Sequence, residues 1–371
     1  MKALIAWLDR LGTVTPDHSL VQSLFRVTVP GLAPLDITNW LLSVDPLGPL
    51  QYDIRTSIPE SLSLLRLLDI PGREGNISER HRLGADLACI MTLALGRKVF
   101  IPNEIVIDTP QPNQRMFIPF LQSVDRTALG PLPADPKAKL HAYLSGIAGL
   151  GVEDLETIGA AASVYHGALV LLDHGPRAAY ALLVAGIEVL SRKYGAPPTD
   201  WTEWDESASW ETFIASQQLT TEQADDLRER LINNKQLRLK AMFRNYTVSR
   251  LSDGFWDEPW EEWIYGFSVN DDRWLPAKPL PTRNVASILP RDRVGLSKAL
   301  GLSYDLRSAI VHEANWIELM SLAPIPVPAV DLNKPLPFAI LRAILAELIW
   351  LEISAHSTPR QLPDFQLLRE K

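Results

Sequence analysis

Hydrophobic positions recur at three- and four-residue steps through most of the second half of the chain, the spacing of helix faces. The first half alternates in short pieces punctuated by prolines. One helix stands out there, Ser78 to Leu95. Ser78 is a candidate cap, Leu83, Leu87, Ile90, Met91 and Ala94 form an apolar stripe, and Gly96 can end it. Ser23 to Val29 alternates and is β-branched enough for a strand, and Lys98 to Ile107 reads as another. Thr38 to Val44 is a further short element. Leu62 to Leu68 is largely apolar and fits strand and helix alike.

Beyond residue 150 the pattern predicts a succession of helices. Glu153 to Asp173 is rich in Ala and Leu. Arg177 to Lys193 is apolar almost all round, which marks a helix buried in a bundle, and Glu188 is its one acid. Thr221 to Arg250 returns to helical spacing, with Thr221 as cap and a break near Asn233-Asn234. Arg291 to Leu300 leads into the stretch Ser303 to Ala314, and Phe338 to His356 is the last helix.

The expected fold class is mainly α, in two parts. Residues 1–140 form an α+β region of unknown role, and Gly130 to Pro136 reads as a linker. Residues 150–356 form a bundle of four or five helices, with a Trp- and Pro-rich insertion near 252–290 and a proline-rich connector over Pro324 to Pro337. At 371 residues the chain is long enough for two cores. Its formal charge of −8 does not advertise nucleic-acid binding, so any RNA needs a local basic groove. The single cysteine, Cys89, rules out an intrachain disulfide and reads as a small core residue. Met1 to Gly12 is too short and too interrupted for a signal peptide, and Phe338 to Ile353 carries Arg342, Glu347 and Glu352 and is shorter than a membrane span. A cytoplasmic protein with no membrane partner is expected.

Chemistry concentrates in Ser303-Tyr304-Asp305-Leu306-Arg307-Ser308-Ala309-Ile310-Val311-His312-Glu313-Ala314. Leu306, Ala309, Ile310 and Ala314 would face a core, and Asp305, Ser308, His312 and Asn315 would form a polar stripe. Arg307 is a fixed cation with a planar fork suited to phosphate. His312 can take or give a proton near neutral pH. On an ideal helix their five-residue separation turns about 140° beyond a full circle. They converge only through helix distortion, a reaching arginine, or a site completed across a dimer.

This wording resembles the motif of HEPN domains, an arginine and a histidine separated by four to six residues on one helix. Tyr304, Arg307, Ser308, Val311 and His312 match the Apea-like subgroup most closely, with Glu313 where that subgroup has glycine. The substitution adds bulk and negative charge beside the histidine. The resemblance covers roughly residues 150–356. It implies a helical bundle, a homodimer whose two motifs face one groove, and metal-independent RNA cleavage with Arg307 and His312 as catalytic pair and no cofactor. His312 would be general base or acid, and Arg307 would neutralise charge on the phosphorane oxygens. Ser308 and Tyr304 would support the pair. A role in phage defence or as a toxin-like effector is the family's. The alternative is a non-catalytic HEPN module that dimerises or binds a partner, with Arg307 and His312 tied to nearby acids.

Other candidates have two readings each. Glu188 either completes the site beside Arg307 or His312, or makes a structural ion pair. The run Arg228, Arg230, Lys235, Arg238, Lys240, Arg244 and Arg250 either lines an RNA groove, chiefly through Arg238, Lys240 and Arg244, or is a solvated helix face. Trp256, Trp260, Trp263 and Trp274 stand among acids, which favours packing or a protein-partner surface over base stacking. His166 and His174 flank no acid-rich ligand set, so no metal is expected.

Overall fold

The computed structural model describes residues 1–11, 13, 21–30, 37–38, 42–49, 60–69, 76–101, 135–172, 175–197, 200–204, 207–234, 238–264, 267–268, 273–274, 278–312 and 328–358. Over these residues the protein is mainly helical with a small sheet.

A helix the apolar pattern had not marked begins the chain. In α1 (Lys2–Leu11), Leu4, Trp7, Leu8 and Leu11 lie at helical spacing and are all buried. The helix packs chiefly on the helix over 77–95 and touches β4 of a four-stranded antiparallel sheet of β1 (Val21–Pro30), β2 (Ile37–Thr38), β3 (Leu42–Pro49) and β4 (Glu60–Asp69), in spatial order β1-β4-β3-β2. The ambiguous 62–68 stretch is therefore a strand. Its alternation decides the matter, because Leu65 and Leu67 turn inward opposite Phe25 of β1 and Leu42 of β3. The element expected over 38–44 is the end of one strand and the start of the next.

The helix α2 (Ile77–Leu95) is capped two residues earlier than the sequence pattern places its cap. Asn76 is the cap, not Ser78. Its side chain accepts from the Glu79 N–H at 3.0 Å while the Glu79 carboxylate accepts from the Asn76 N–H at 2.9 Å, a capping box that Ser78 could not form from inside the first turn. Gly96 ends the helix in the left-handed region at φ 61°. The strand expected from Lys98 does not form over 98–101, which contain only an isolated bridge residue at Phe100, and 102–107 lie outside the described residues. Residues 130–134 of the expected linker also lie outside them. Its end does not behave as a linker, because Asp135 caps and Pro136 opens α3 (Pro136–Ala148).

The remaining helices are α4 (Val152–Leu171), α5 (Pro176–Tyr194), α6 (Ser207–Ser216), α7 (Thr221–Asn233), α8 (Leu239–Arg250), α9 (Gly254–Asp257), α10 (Arg293–His312) and α11 (Phe338–His356). The break near Asn233-Asn234 separates α7 from α8, and the cap of α7 is Thr220, boxed with Gln223, rather than Thr221. Helix α5 is the hub that its all-round apolarity implied. It packs on α4, α8, α10 and α11. The 252–290 stretch holds α9 and six two-residue strands, β5 (Pro259–Trp260), β6 (Trp263–Ile264), β7 (Phe267–Ser268), β8 (Arg273–Trp274), β9 (Lys278–Pro279) and β10 (Arg283–Asn284). Trp256 and Trp260 are buried there, and the Arg293 guanidinium lies 5.3 Å from the Trp256 ring centroid. Those two indoles serve packing and are not open to stack bases.

The buried apolar side chains form one continuous cluster, from Leu4 and the sheet through α2, α3 and α4 to α5, α10 and α11. The α+β region and the helical region share that core. Cys89 is buried within α2, and burial pushes its thiol up to about 12. Among the described residues no helix is long and apolar enough to cross a membrane.

Candidate functional site

The motif stretch is the second half of α10, which runs unbroken through Arg307 to His312. Its inward face is set by Leu296, Ala299, Leu300, Ser303 and Leu306, all buried. Ser303 donates to the Ala299 carbonyl at 2.9 Å and accepts from the Leu336 N–H at 2.9 Å, which fastens the 328–337 connector across the helix. The Leu336 carbonyl in turn accepts from Tyr180 of α5 at 3.1 Å. Toward its end α10 leaves the core. Ala309 and Ile310 are only half-buried, and Val311 is exposed, so the apolar face expected through Ala314 fades after Leu306.

Glu188 comes from the middle of α5 and is 6% exposed. One of its carboxylate oxygens accepts from Arg192, one turn along the same helix. The other lies 3.8 Å from Nη2 of Arg307. The structure therefore brings Glu188 and Arg307 together, as one reading of the sequence anticipated. It adds Arg192, which the i, i+4 spacing from Glu188 could have signalled.

Tyr304 packs half-buried against Phe243 of α8, with ring centroids 5.4 Å apart. Burial raises its phenol pKa, and the Glu188 carboxylate adds to the rise, while Arg307 and Arg192 pull it back. Asp305, exposed, accepts from Lys240 of α8 at 2.7 Å. Lys240 and Arg244 approach α10 over Gly301, where a Cβ would stand 3.1 Å from Cδ of Arg244 and 3.4 Å from Cε of Lys240. A side chain at 301 would press first on the Arg244 stem, which would have to give by a few tenths of an ångström. Arg238 sits at the start of α8, and its Nη2 reaches the Asn233 carbonyl at 3.4 Å. Ser308 is half-buried on α10. His312 closes the described part of the helix and its side chain lies outside the described residues, as do Glu313, Ala314 and Asn315.

The long basic run divides. Arg228 pairs with Glu211 and Asp225, and Arg230 with Asp226, on α6 and α7. Asp225 and Asp226 precede them by one helical turn and Glu211 reaches Arg228 from α6, so those cations are spent on acids away from α10. Arg250 turns to a different face, toward Glu352 of α11. Lys235 lies outside the described residues. What remains at the motif is a cluster of Arg192, Lys240, Arg244 and Arg307 around two acids, Glu188 and Asp305. This is a locally basic face on an acidic chain.

Of the two histidines weighed above as metal ligands, only His166 lies among the described residues. His166 bonds Thr92, and His174 lies outside the described residues. Among the described residues no group of three or more His, Cys, Asp or Glu side chains is placed to hold a metal ion. No protein-family model matches the chain, and no significant match was found among curated proteins or solved structures.

Proposed function

We propose that the protein is a metal-independent endoribonuclease of HEPN type, with Arg307 and His312 as its catalytic pair. The observation that carries the reading is the buried Glu188 of α5, held between Arg192 and Arg307 of the motif helix. At 3.8 Å the carboxylate attracts the Arg307 guanidinium without hydrogen-bonding it, which leaves the fork's donors for a phosphate. The bundle of α4, α5, α8, α10 and α11 is the kind of scaffold that the family's fold implies.

In this mechanism the 2′-hydroxyl of a ribose attacks the adjacent phosphorus, and the 5′-oxygen of the next nucleotide leaves. His312 takes the 2′ proton or protonates the leaving oxygen. Arg307 stabilises charge that grows on the equatorial oxygens. The products are a 2′,3′-cyclic phosphate and a 5′-hydroxyl. Lys240, Arg244 and Arg238 flank the motif on α8 and would hold the strand through its phosphates. Because α10 is unbroken between Arg307 and His312, the pair is best completed across a homodimer, one subunit's arginine beside the other's histidine. The setting is cytoplasmic, and the role a defence or toxin-like effector.

A second reading is favoured by the ion pairs themselves. Glu188 engages Arg307 and Asp305 engages Lys240, so the cations are partly satisfied within the protein. That is how a non-catalytic dimerisation or partner-binding module would use the same residues. The deciding experiment is cleavage of a mixed RNA pool in EDTA by wild type and His312→Ala. Cyclic phosphate ends from wild type alone support the enzyme. No cleavage by either protein favours the module, and equal cleavage by both removes Arg307 and His312 from the site.

A further inference from the structure

A second constellation lies where α5, α8 and α11 all end. Glu352 of α11 is 1% exposed and collects three donors. Its Oε1 accepts from the Tyr246 hydroxyl at 2.7 Å and from Nε of Arg250 at 2.7 Å. Its Oε2 accepts from Nη2 of Arg250 at 3.3 Å and lies 3.2 Å from Nε2 of His356. Arg250 also donates to the Leu351 carbonyl at 3.2 Å. His356 stacks on Tyr194 of α5 with centroids 4.6 Å apart, and Tyr194 donates to Asp154 of α4 at 2.9 Å. These groups wall an open pocket of about 790 Å³, in the range of small-ligand sites. The exposed Asn245 and Ser249, one turn apart on α8, stand at its edge.

The network sorts its polar groups by access. The carboxylate is buried and satisfied, while Arg250 and His356 each keep over a third of the side chain open, at 35% and 37%. Among the described residues, Nη1 of Arg250 and Nδ1 of His356 have no protein partner. A carboxylate on Nε2 fixes the proton there, so Nδ1 is the nitrogen left for a ligand, and it becomes a donor when the ring is charged. Glu352 thus spends its charge on holding the cation and the imidazole in place. What a ligand meets is a guanidinium edge, an imidazole, an amide and a hydroxyl, beside the flat face of the Tyr194–His356 stack.

We propose that this pocket binds a phosphomonoester carried on a small planar body, with Arg250 and His356 on the phosphate and the Tyr194 side against the body. Three helix C-termini also converge here, and their carbonyl ends oppose an anion. The charged and titratable groups around His356 are Glu352 on its own helix, Tyr194 on α5, Tyr246 and Arg250 on α8, and Asp154 behind Tyr194. Arg250 and His356 each turn an open polar edge to the pocket while the Glu352 carboxylate is buried and satisfied, so a phosphate meets donors rather than the acid. The proposal stands independently of the ribonuclease reading.

The test is calorimetric titration of the full chain with phenyl phosphate, with benzylamine as the cationic counterpart. Wild type should bind phenyl phosphate about fivefold more tightly than His356→Gln, the scale of one partly screened contact. Asn245→Asp, an exposed change that leaves the Glu352 bonds intact, should weaken binding. A 5′-phosphorylated trinucleotide that binds equally well identifies an RNA end as the source, and one that is excluded identifies a free metabolite. Two results overturn the proposal. One is binding of benzylamine in place of phenyl phosphate, which would mean that the helix ends and Glu352 dominate. The other is phenyl phosphate binding that Asn245→Asp and His356→Gln leave unchanged.

Discussion

His166 gives the sharpest quantitative handle on this fold. It lies in α4, mostly buried, with Nδ1 2.9 Å from the Thr92 hydroxyl of α2. The Thr92 oxygen also accepts from the Val99 N–H at 3.2 Å and is wholly buried. Burial first, and the nearby Lys98 ammonium second, push the imidazole from 6.5 down to about 4. The depressed value means that the unfolded chain takes up a proton that the folded chain refuses. Stability from this group is therefore complete above pH 6.5 and is lost as pH falls toward 4. At 1.36 kcal/mol per unit, the loss between pH 7 and pH 4.5 is about 2.5 kcal/mol. Gln at 166 keeps an acceptor for Thr92 and cannot be charged. Urea denaturation of wild type and His166→Gln across this range isolates the effect, because other acid-sensitive groups are common to both. The stability difference should shift by about 2.5 kcal/mol in favour of the variant at the acid end. A difference constant to within about 0.5 kcal/mol refutes the burial argument.

Three further outcomes are expected. Asn76→Ala removes the capping box of α2 and should lower stability by about 1 kcal/mol in the same assay, and no change would mean that the helix start is held by packing alone. Glu352→Gln turns charge-assisted bonds from Arg250 and His356 into neutral ones. With Arg250 a third exposed, about 2 kcal/mol should be lost, and a neutral result would reassign those bonds to the surface class. If the chain cleaves RNA, Arg307→Ala should reduce the single-turnover rate by about 10²- to 10³-fold, with RNA affinity changed far less. Equal losses in rate and affinity would make Arg307 a strand-binding residue instead.

The helices were legible where one property dominated. The all-round apolarity of Arg177 to Lys193 marked the hub, and α11 begins and ends where its pattern does. The α1 helix was hidden because Asp9 and Arg10 interrupt a short segment whose stripe makes sense only once packed on α2 and β4. Strand β4 was ambiguous because Leu62, Leu64 and Leu68 sit beside the inward Leu65 and Leu67, and pairing with β1 and β3 was needed to choose. Caps slipped by one or two residues, to Asn76 and Thr220, because the box partner three residues on decides between adjacent candidates. At the site, the Glu188–Arg307 pairing was readable from an acid stranded on an apolar helix. The fate of the basic run was readable only in part: Asp225 and Asp226 lie one helical turn before Arg228 and Arg230, whereas Glu211 of α6 and Glu352 of α11 reach Arg228 and Arg250 only through tertiary packing.

The chain carries two polar constellations on the same pair of helices, α5 and α8. Helix α8 presents Lys240 and Arg244 to α10 over Gly301, and two turns later presents Tyr246 and Arg250 to Glu352. Helix α5 does the same, with Glu188 toward Arg307 and Tyr194 toward His356. Each helix is pinned between the two sites by buried apolar residues, Phe243 on α8 and Leu190 on α5 among them. Close-packed segments of this kind do not deform gradually, so the spacing between the sites is fixed by the core rather than by the ion pairs. A substitution that loosens that core would disturb both sites together. A change to one charged side chain should stay local, and it is on that locality that single-residue tests of either site depend.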